Sequence, residues 1–111
     1  RITYIQRTVT LISGTPGDNS GYRDGKLLNS LFTYPHGLIF ITAHTLLVAD
    51  SGNHRLRLLD TILDKSTTLI VKKSLFFPSS LLLTDNSLYV GQHRKIIQYK
   101  CEYNAKYFHS L

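Results

Sequence analysis

The stretch VADSGNHRLRLLD, residues 48–60, gathers Asp50, His54, Arg55, Arg57 and Asp60 around a Gly52-Asn53 turn. A carboxylate, an imidazole and two guanidiniums this close along the chain have the chemistry for general acid–base work, for holding a metal, or for gripping an anion. The same residue types also serve structure. An Asp that ends a strand and begins a Ser-Gly-Asn turn accepts hydrogen bonds from the turn's own backbone. It also pairs with a basic residue, here Arg55 or an arginine of a neighbouring unit. Gly52 and Asn53 are residue types that tolerate a positive φ, so the turn accounts for them without a ligand. For His54 to be a zinc ligand it needs companions. His36, His44, His93 and His109 stand on separate elements with no His-x3-His or Glu spacing, so the sequence contains no zinc set.

A second stretch, GTPGDNSGYRDGK at residues 14–26, also looks chemical. It lacks the Gly-x4-Gly-Lys-Ser/Thr spacing of a phosphate loop. Its Asp18, Ser20 and Tyr22 are not followed by the terminal Glu of a calcium loop. Its GDNSG is not a strained elbow between strand and helix. It reads as a long surface loop, and Tyr22, Arg23 and Lys26 are its candidate contacts with a partner. Cys101 is the single cysteine, which excludes an internal disulfide and a cysteine-based metal site and suits a small core residue. No cofactor is called for.

The elements that must position these residues are short strands. Apolar side chains alternate, as in Ile2 and Tyr4, Leu56 and Leu58, or Ile97 and Tyr99, and do not recur at helical spacing. Turn residues break the runs at Thr15–Asn19, Ser51–Asn53, Pro78–Ser80 and Thr84–Asn86. The pattern predicts strands at 2–6, 8–13, 37–41, 45–50, 55–60, 67–71, 80–84, 87–91, 95–101 and 105–109. A composition of 42% apolar and 18% charged residues is that of a globular chain and not a disordered one. No run of about eighteen uncharged apolar residues occurs, so no membrane insertion is expected in this segment. The opening RITYIQRTV is not a signal peptide, and without an initiator Met the chain is expected to be a piece of a longer one. Asn-x-Ser/Thr is absent, which leans away from a glycosylated ectodomain, and the compartment stays unassigned. Thirteen Lys and Arg against seven Asp and Glu give +6, but the cations are dispersed, with Lys72-Lys73 and Arg94-Lys95 the densest groupings. Dispersed charge of this kind is a solvated surface before it is a nucleic-acid patch.

A period underlies the strands. YPHGLIFITAHTLLVADSGNHRLRLLD lies over FPSSLLLTDNSLYVGQHRKIIQYK, with Pro35 on Pro78 and Leu38 on Leu81 at a spacing of 43. Leu46–Ala49 then falls on Leu88–Gly91 at 42, and Leu56-Arg57-Leu58 on Ile97-Gln98-Tyr99 at 41. RITYI at 1–5 resembles RLRLL at 55–59, and TLI occurs at both 10–12 and 68–70. Four strands over about 40–45 residues is the period of a β-propeller blade. The fold class is therefore all-β, with antiparallel four-stranded blades of an incomplete propeller. The divisions are residues 1–13 as the end of one blade, 14–34 as an inter-blade loop, 35–71 as a complete blade, and 76–109 as a degenerate blade.

The central unit resembles the NHL repeat. The resemblance is carried by Pro35-x-Gly37-Leu38, a strand ending Val48-Ala49-Asp50, and Gly52-Asn53-His54-Arg55 before an alternating strand. Asp24-Gly25, Ser30 and Phe32 fit the linker of one branch of that family. In the weaker unit Ser80 replaces Gly37, Gln92 replaces Asp50, and the Gly-Asn turn is missing before His93-Arg94. The resemblance implies a binding platform, commonly six-bladed, for proteins, RNA or carbohydrate; a minority of similar propellers are metal-dependent enzymes. It implies a structural role for Pro35, Gly37, Asp50, Gly52, Asn53, His54 and Arg55, with no catalytic set.

The expected function is a non-catalytic binding and scaffold module that meets another protein through a propeller face. RNA binding through a basic face is the alternative, and a metal-dependent hydrolase or lyase the remote third. Two and a half blades do not close a ring, so the remaining blades of a parent propeller are expected partners.

Overall fold

The alternating pattern becomes paired strands in the computed structural model, which describes residues 8–17, 19–71 and 74–100. β1 (Pro35–Thr42), β2 (Thr45–Asp50), β3 (Arg55–Asp60) and β4 (Lys65–Leu69) form one antiparallel sheet in that order. β5 (Ser80–Leu83), β6 (Ser87–Gln92) and β7 (Lys95–Lys100) form a second. Single 3-10 turns occur at Leu27–Asn29 and Ser51–Asn53. Among the described residues no helix is long and apolar enough to cross a membrane. The strands predicted at 2–6 and 105–109, with Asp18, Lys72, Lys73, Cys101 and His109, lie outside the described residues.

Two predicted elements differ. Residues 8–13 form no strand, and Val9 is 95% exposed. A strand needs a ladder partner, and this segment instead follows the loop, with the Ser13 hydroxyl and the Gly14 N–H both donating to the Leu27 carbonyl. β4 begins two residues earlier than the predicted 67–71, because pairing with β3 resumes directly after the turn at 61–64. That turn is shaped by Asp60, whose Oδ1 accepts from the Ile62 and Leu63 N–H groups.

Among the described residues, the turns that join neighbouring strands of each sheet lie at two ends. The upper end holds the turns at 51–54 and 93–94, and the lower end holds those at 43–44, 61–64 and 84–86. The core fills the space between the sheets. Leu47, Ala49, Leu56, Leu58 and Leu69 of the first sheet meet Leu88 and Val90 of the second, with Ile39, Ile41, Leu81, Leu83 and Tyr99 at the margin. Fully burying one such aliphatic side chain contributes about 1.5–3 kcal/mol, so this layer dominates what holds the sheets together. Burial pushes the Tyr99 phenol above its ordinary pKa, which keeps it neutral.

The registers refine the repeat. The upper turn closes on Asp50 and Arg55 in the first sheet and on Gln92 and Lys95 in the second, with four intervening residues against two. Two residues are therefore lost in this turn, after one lost in the lower turn before it, so Ile97, and not Gln98, answers Arg57, and Tyr99 answers Leu59. A strand has a side-chain period of two, so a slip of one residue exchanges the faces. With the register set, Leu81, Leu83, Leu88, Val90, Ile97 and Tyr99 line the face that the second sheet turns toward the first. Their counterparts in the first sheet are Leu38, Phe40, Leu46, Val48, Arg57 and Leu59. Here Leu27 and Phe32 cover part of that face. An apolar groove of about 330 Å³ remains between Ile12, Pro35, Leu38, Phe40, Val48 and Leu59, with Leu38 59% and Phe40 63% exposed.

Gly37 explains how closely the sheets approach at the upper end. A Cβ there would collide with the Ser79 carbonyl oxygen and lie 3.2 Å from its carbonyl carbon. Backbone cannot move aside as a flexible side chain can. Gly37→Ala in the full-length protein is expected to cost about 1–3 kcal/mol of stability, measured by chemical denaturation, through forced separation of the sheets. An unchanged midpoint would refute this account of the glycine.

Candidate functional site

The charged knot of the upper end is built around Arg57. Its position on β3 alternates with Leu56 and Leu58, which face the core, so its side chain emerges on the opposite face beside Val48 and Leu59. The guanidinium is fully buried and donates to five acceptor contacts. Nε reaches Asp24 Oδ1 at 3.0 Å, Nη1 reaches Asp50 Oδ2 at 2.7 Å and the Leu31 carbonyl at 2.8 Å, and Nη2 reaches Asp24 Oδ1 and the Arg23 carbonyl, each at 2.8 Å. All five donors of an arginine are thereby engaged. Its flat faces meet Phe32 at 4.6 Å and Tyr22 at 4.9 Å.

Asp50 is equally committed. It is fully buried, its Oδ1 accepts the Thr33 N–H at 2.8 Å, and its Oδ2 accepts both Arg57 and the Asn53 side-chain amide at 2.7 Å. The partner of Asp50 is thus Arg57, where the sequence pointed to Arg55. Asp24, half-buried, receives Arg57 on one oxygen and the Thr68 hydroxyl on the other at 2.8 Å. Since the Thr68 proton goes to Asp24, the Tyr22 hydroxyl donates to Thr68. Asn53 also donates to the Gly21 carbonyl, and Thr33 exchanges hydrogen bonds with Gly21 through its hydroxyl. Carboxylates held in this way serve to clamp the 20–33 loop onto the sheet.

The turn itself departs from expectation in one respect. The left-handed residue is His54, at φ 55° and ψ 41°, and not Gly52 or Asn53. Gly52 is needed for closeness instead: a Cβ there would lie 2.5 Å from Thr33 Cγ2 and 2.7 Å from the Thr33 carbonyl oxygen. The turn swings His54 toward the second sheet. Its ring stacks on Phe76 at 5.3 Å, meets Phe77 edge-on at 4.4 Å, and its Nδ1 accepts the Phe77 N–H at 3.1 Å. His93 of the equivalent turn contacts the same pair, at 5.7 Å from Phe76 and 6.3 Å from Phe77. Phe76-Phe77 is therefore held between the two upper turns.

Pro35 opens β1 opposite Asp50, at the same upper end. Of the loop candidates, Tyr22 is engaged by Thr68 and by the Arg55 guanidinium, 4.2 Å above its ring. Arg23 Nε donates to the Asn29 carbonyl at 2.7 Å, and Lys26 is exposed. Among the described residues, no three His, Cys, Asp or Glu side chains gather where they could hold a metal. The residues that sequence reasoning passed over are Arg57 as the hub, Thr33 and the Phe76-Phe77 pair. The signal for Arg57 was present: it shares strand parity with buried Leu59, and an arginine on a covered face requires carboxylates.

Removing one side of a buried ion pair leaves an uncompensated charge. Arg57→Ala in the full-length protein is expected to cost about 3–5 kcal/mol by chemical denaturation, and to open the 14–31 loop to limited proteolysis. Arg55→Ala, two residues away but exposed, is expected to change stability by no more than about 0.5 kcal/mol. Equal effects of the two substitutions would overturn the assignment of Arg57 as the hub.

Residues 32–57 match the NHL repeat family. No curated protein matches the chain. Among solved structures the chain is similar to a structural genomics protein of unknown function from Bacteroides thetaiotaomicron, with a TM-score of 0.65 and 22% identity. That similarity covers 82% of this chain and 23% of the other, so this chain spans about a quarter of that protein's length, and what the two share is the fold. The two sheets are blades of a β-propeller, and the first of them carries an NHL repeat at residues 32–57.

Proposed function

We propose that this chain is part of a non-catalytic binding and scaffold module that meets another protein through the upper end of its sheets. One observation carries the reading. Asp50 of the repeat and Asp24 of the preceding loop are engaged by Arg57 and its neighbours, while Arg55, Arg94, Lys95 and aromatic rings at the same end face solvent. Arg55, Arg94 and Lys95 are exposed there, with Phe76 53% and Phe77 42% exposed between them. A rigid patch of arginine and aromatic side chains has the composition of an interface centre.

RNA binding is the second reading, favoured by a groove of about 300 Å³ where Phe76 stands beside His93, Arg94 and Lys95. An exposed ring for a base and adjacent cations for phosphate form the usual single-strand platform.

A photo-crosslinking residue in place of Arg94, compared with one in place of Asp64 at the lower end, tests both readings in the full-length protein. Adducts at position 94 that protease removes and ribonuclease does not, with none at position 64, are the expected result. Ribonuclease-sensitive adducts would replace the protein reading by the RNA one. In that case affinity should fall about tenfold or more between 50 and 200 mM salt, as phosphate contacts release counterions.

A further inference from the structure

Arg55 and Arg57 leave the same face of β3 two residues apart, yet their surroundings are opposite. Arg57 is buried with every donor engaged. Arg55 is exposed, and its Nη1 donates to the Asn53 carbonyl at 3.1 Å. No carboxylate among the described residues pairs with it. The acids at the same end are engaged elsewhere, Asp50 by Thr33, Asn53 and Arg57, and Asp24 by Arg57 and Thr68. Arg55 is nevertheless held in place. Its guanidinium carbon lies over the Tyr22 ring at 4.2 Å, and Tyr22 is itself fixed by its bond to Thr68. A stacked, oriented guanidinium with most of its fork unoccupied is a preorganised anion receptor.

This guanidinium forms the rim of a groove of about 400 Å³ at the top of β3 and β4. His54 lies on the same rim. Its Nδ1 accepts the Phe77 N–H, so its proton resides on Nε2, and no described residue accepts from that nitrogen. The rest of the lining combines the aliphatic Leu69, Ile70, Val71 and Leu75 with Asn53, Thr68 and Ser74, and Ile70 is 79% exposed. Donors on one side and a branched apolar wall on the other match a carboxylate next to an apolar side chain. The His54 ring of the lining is already packed against Phe76 and Phe77, which leaves a nucleic-acid base only aliphatic groups on which to lie.

We propose that this groove takes an acidic peptide segment of the protein partner, with an Asp or Glu carboxylate on Arg55 and His54 and the adjoining apolar residue on Ile70 and Leu75. The assignment deepens the protein-binding reading and rests on it. Tyr22 acts here as a positioning residue, holding the arginine ready and lowering the ordering cost on binding.

The test uses the full-length protein and a fluorescent short peptide alternating glutamate and leucine. A glutamine–leucine version and a short oligouridylate serve as comparisons. The acidic peptide is expected to bind saturably, and the glutamine version about tenfold or more weakly, the loss of a charge-assisted pair. Arg55→Gln should weaken the acidic peptide by the same factor with an unchanged unfolding midpoint, and Tyr22→Leu should weaken it severalfold. Arg94→Gln, in the neighbouring groove, should leave it unaltered. Failure of the acidic peptide to bind, full binding by Arg55→Gln, or equal competition by oligouridylate would each overturn the assignment. Protease-sensitive adducts at position 94 alongside such a failure would refute this groove while leaving the protein-binding reading intact.

Discussion

A single guanidinium, that of Arg57, ties the 20–33 loop to the end of β2 and the middle of β3, two strands that the β-ladder already pairs. Its burial is the constraint on which the upper end depends. A charge removed from water needs both an opposite charge and a hydrogen-bond acceptor for each N–H, or the site is not stable. Asp50 provides the opposite charge from within the sheet. Asp24, Leu31 and Arg23 provide the rest from the loop, so the loop conformation follows from the arginine's needs. Tyr22 is then placed where it supports Arg55, and the turn at 51–54 is placed where His54 reaches Phe77.

The second sheet shows that this solution is optional for the architecture. With Ile97 at the position of Arg57 and Gln92 at that of Asp50, its equivalent face is apolar and packs directly on the first sheet. Exchanging a buried ion pair for aliphatic packing is often neutral or favourable in free energy. What the polar version adds in the first sheet is the attachment of a long loop, with a defined surface above it. The degenerate sheet has a two-residue upper turn and no such loop to hold.

Much of this was legible in the residues. Alternation located β2, β3, β6 and β7 closely, because a strand covered on both faces or one announces itself by parity. The repeat was also visible, but its last third was placed one residue out of register. Spacing alone cannot say how many residues a turn loses, whereas the ladder must place every side chain on one face or the other. The strand at 8–13 misled for a related reason: Val9 and Leu11 have the right period, but period describes a tendency and pairing requires a neighbour. The charged knot was recognised and its chemistry discounted on the grounds of turn geometry. Its centre was missed although parity with Leu59 pointed to it, since the four acceptor atoms that Arg57 engages come from residues 23 to 50 and not from the sequence around it.

The arrangement around Arg57 also imposes an order of events on folding. The β2–β3 hairpin is local and closes on the microsecond scale, whereas the loop's carbonyls and Asp24 approach from 26 to 34 residues away. In the hairpin alone the guanidinium stays hydrated, and desolvation occurs only when the loop arrives with its acceptors in place. Docking of the loop is therefore the step that removes the last water from this face.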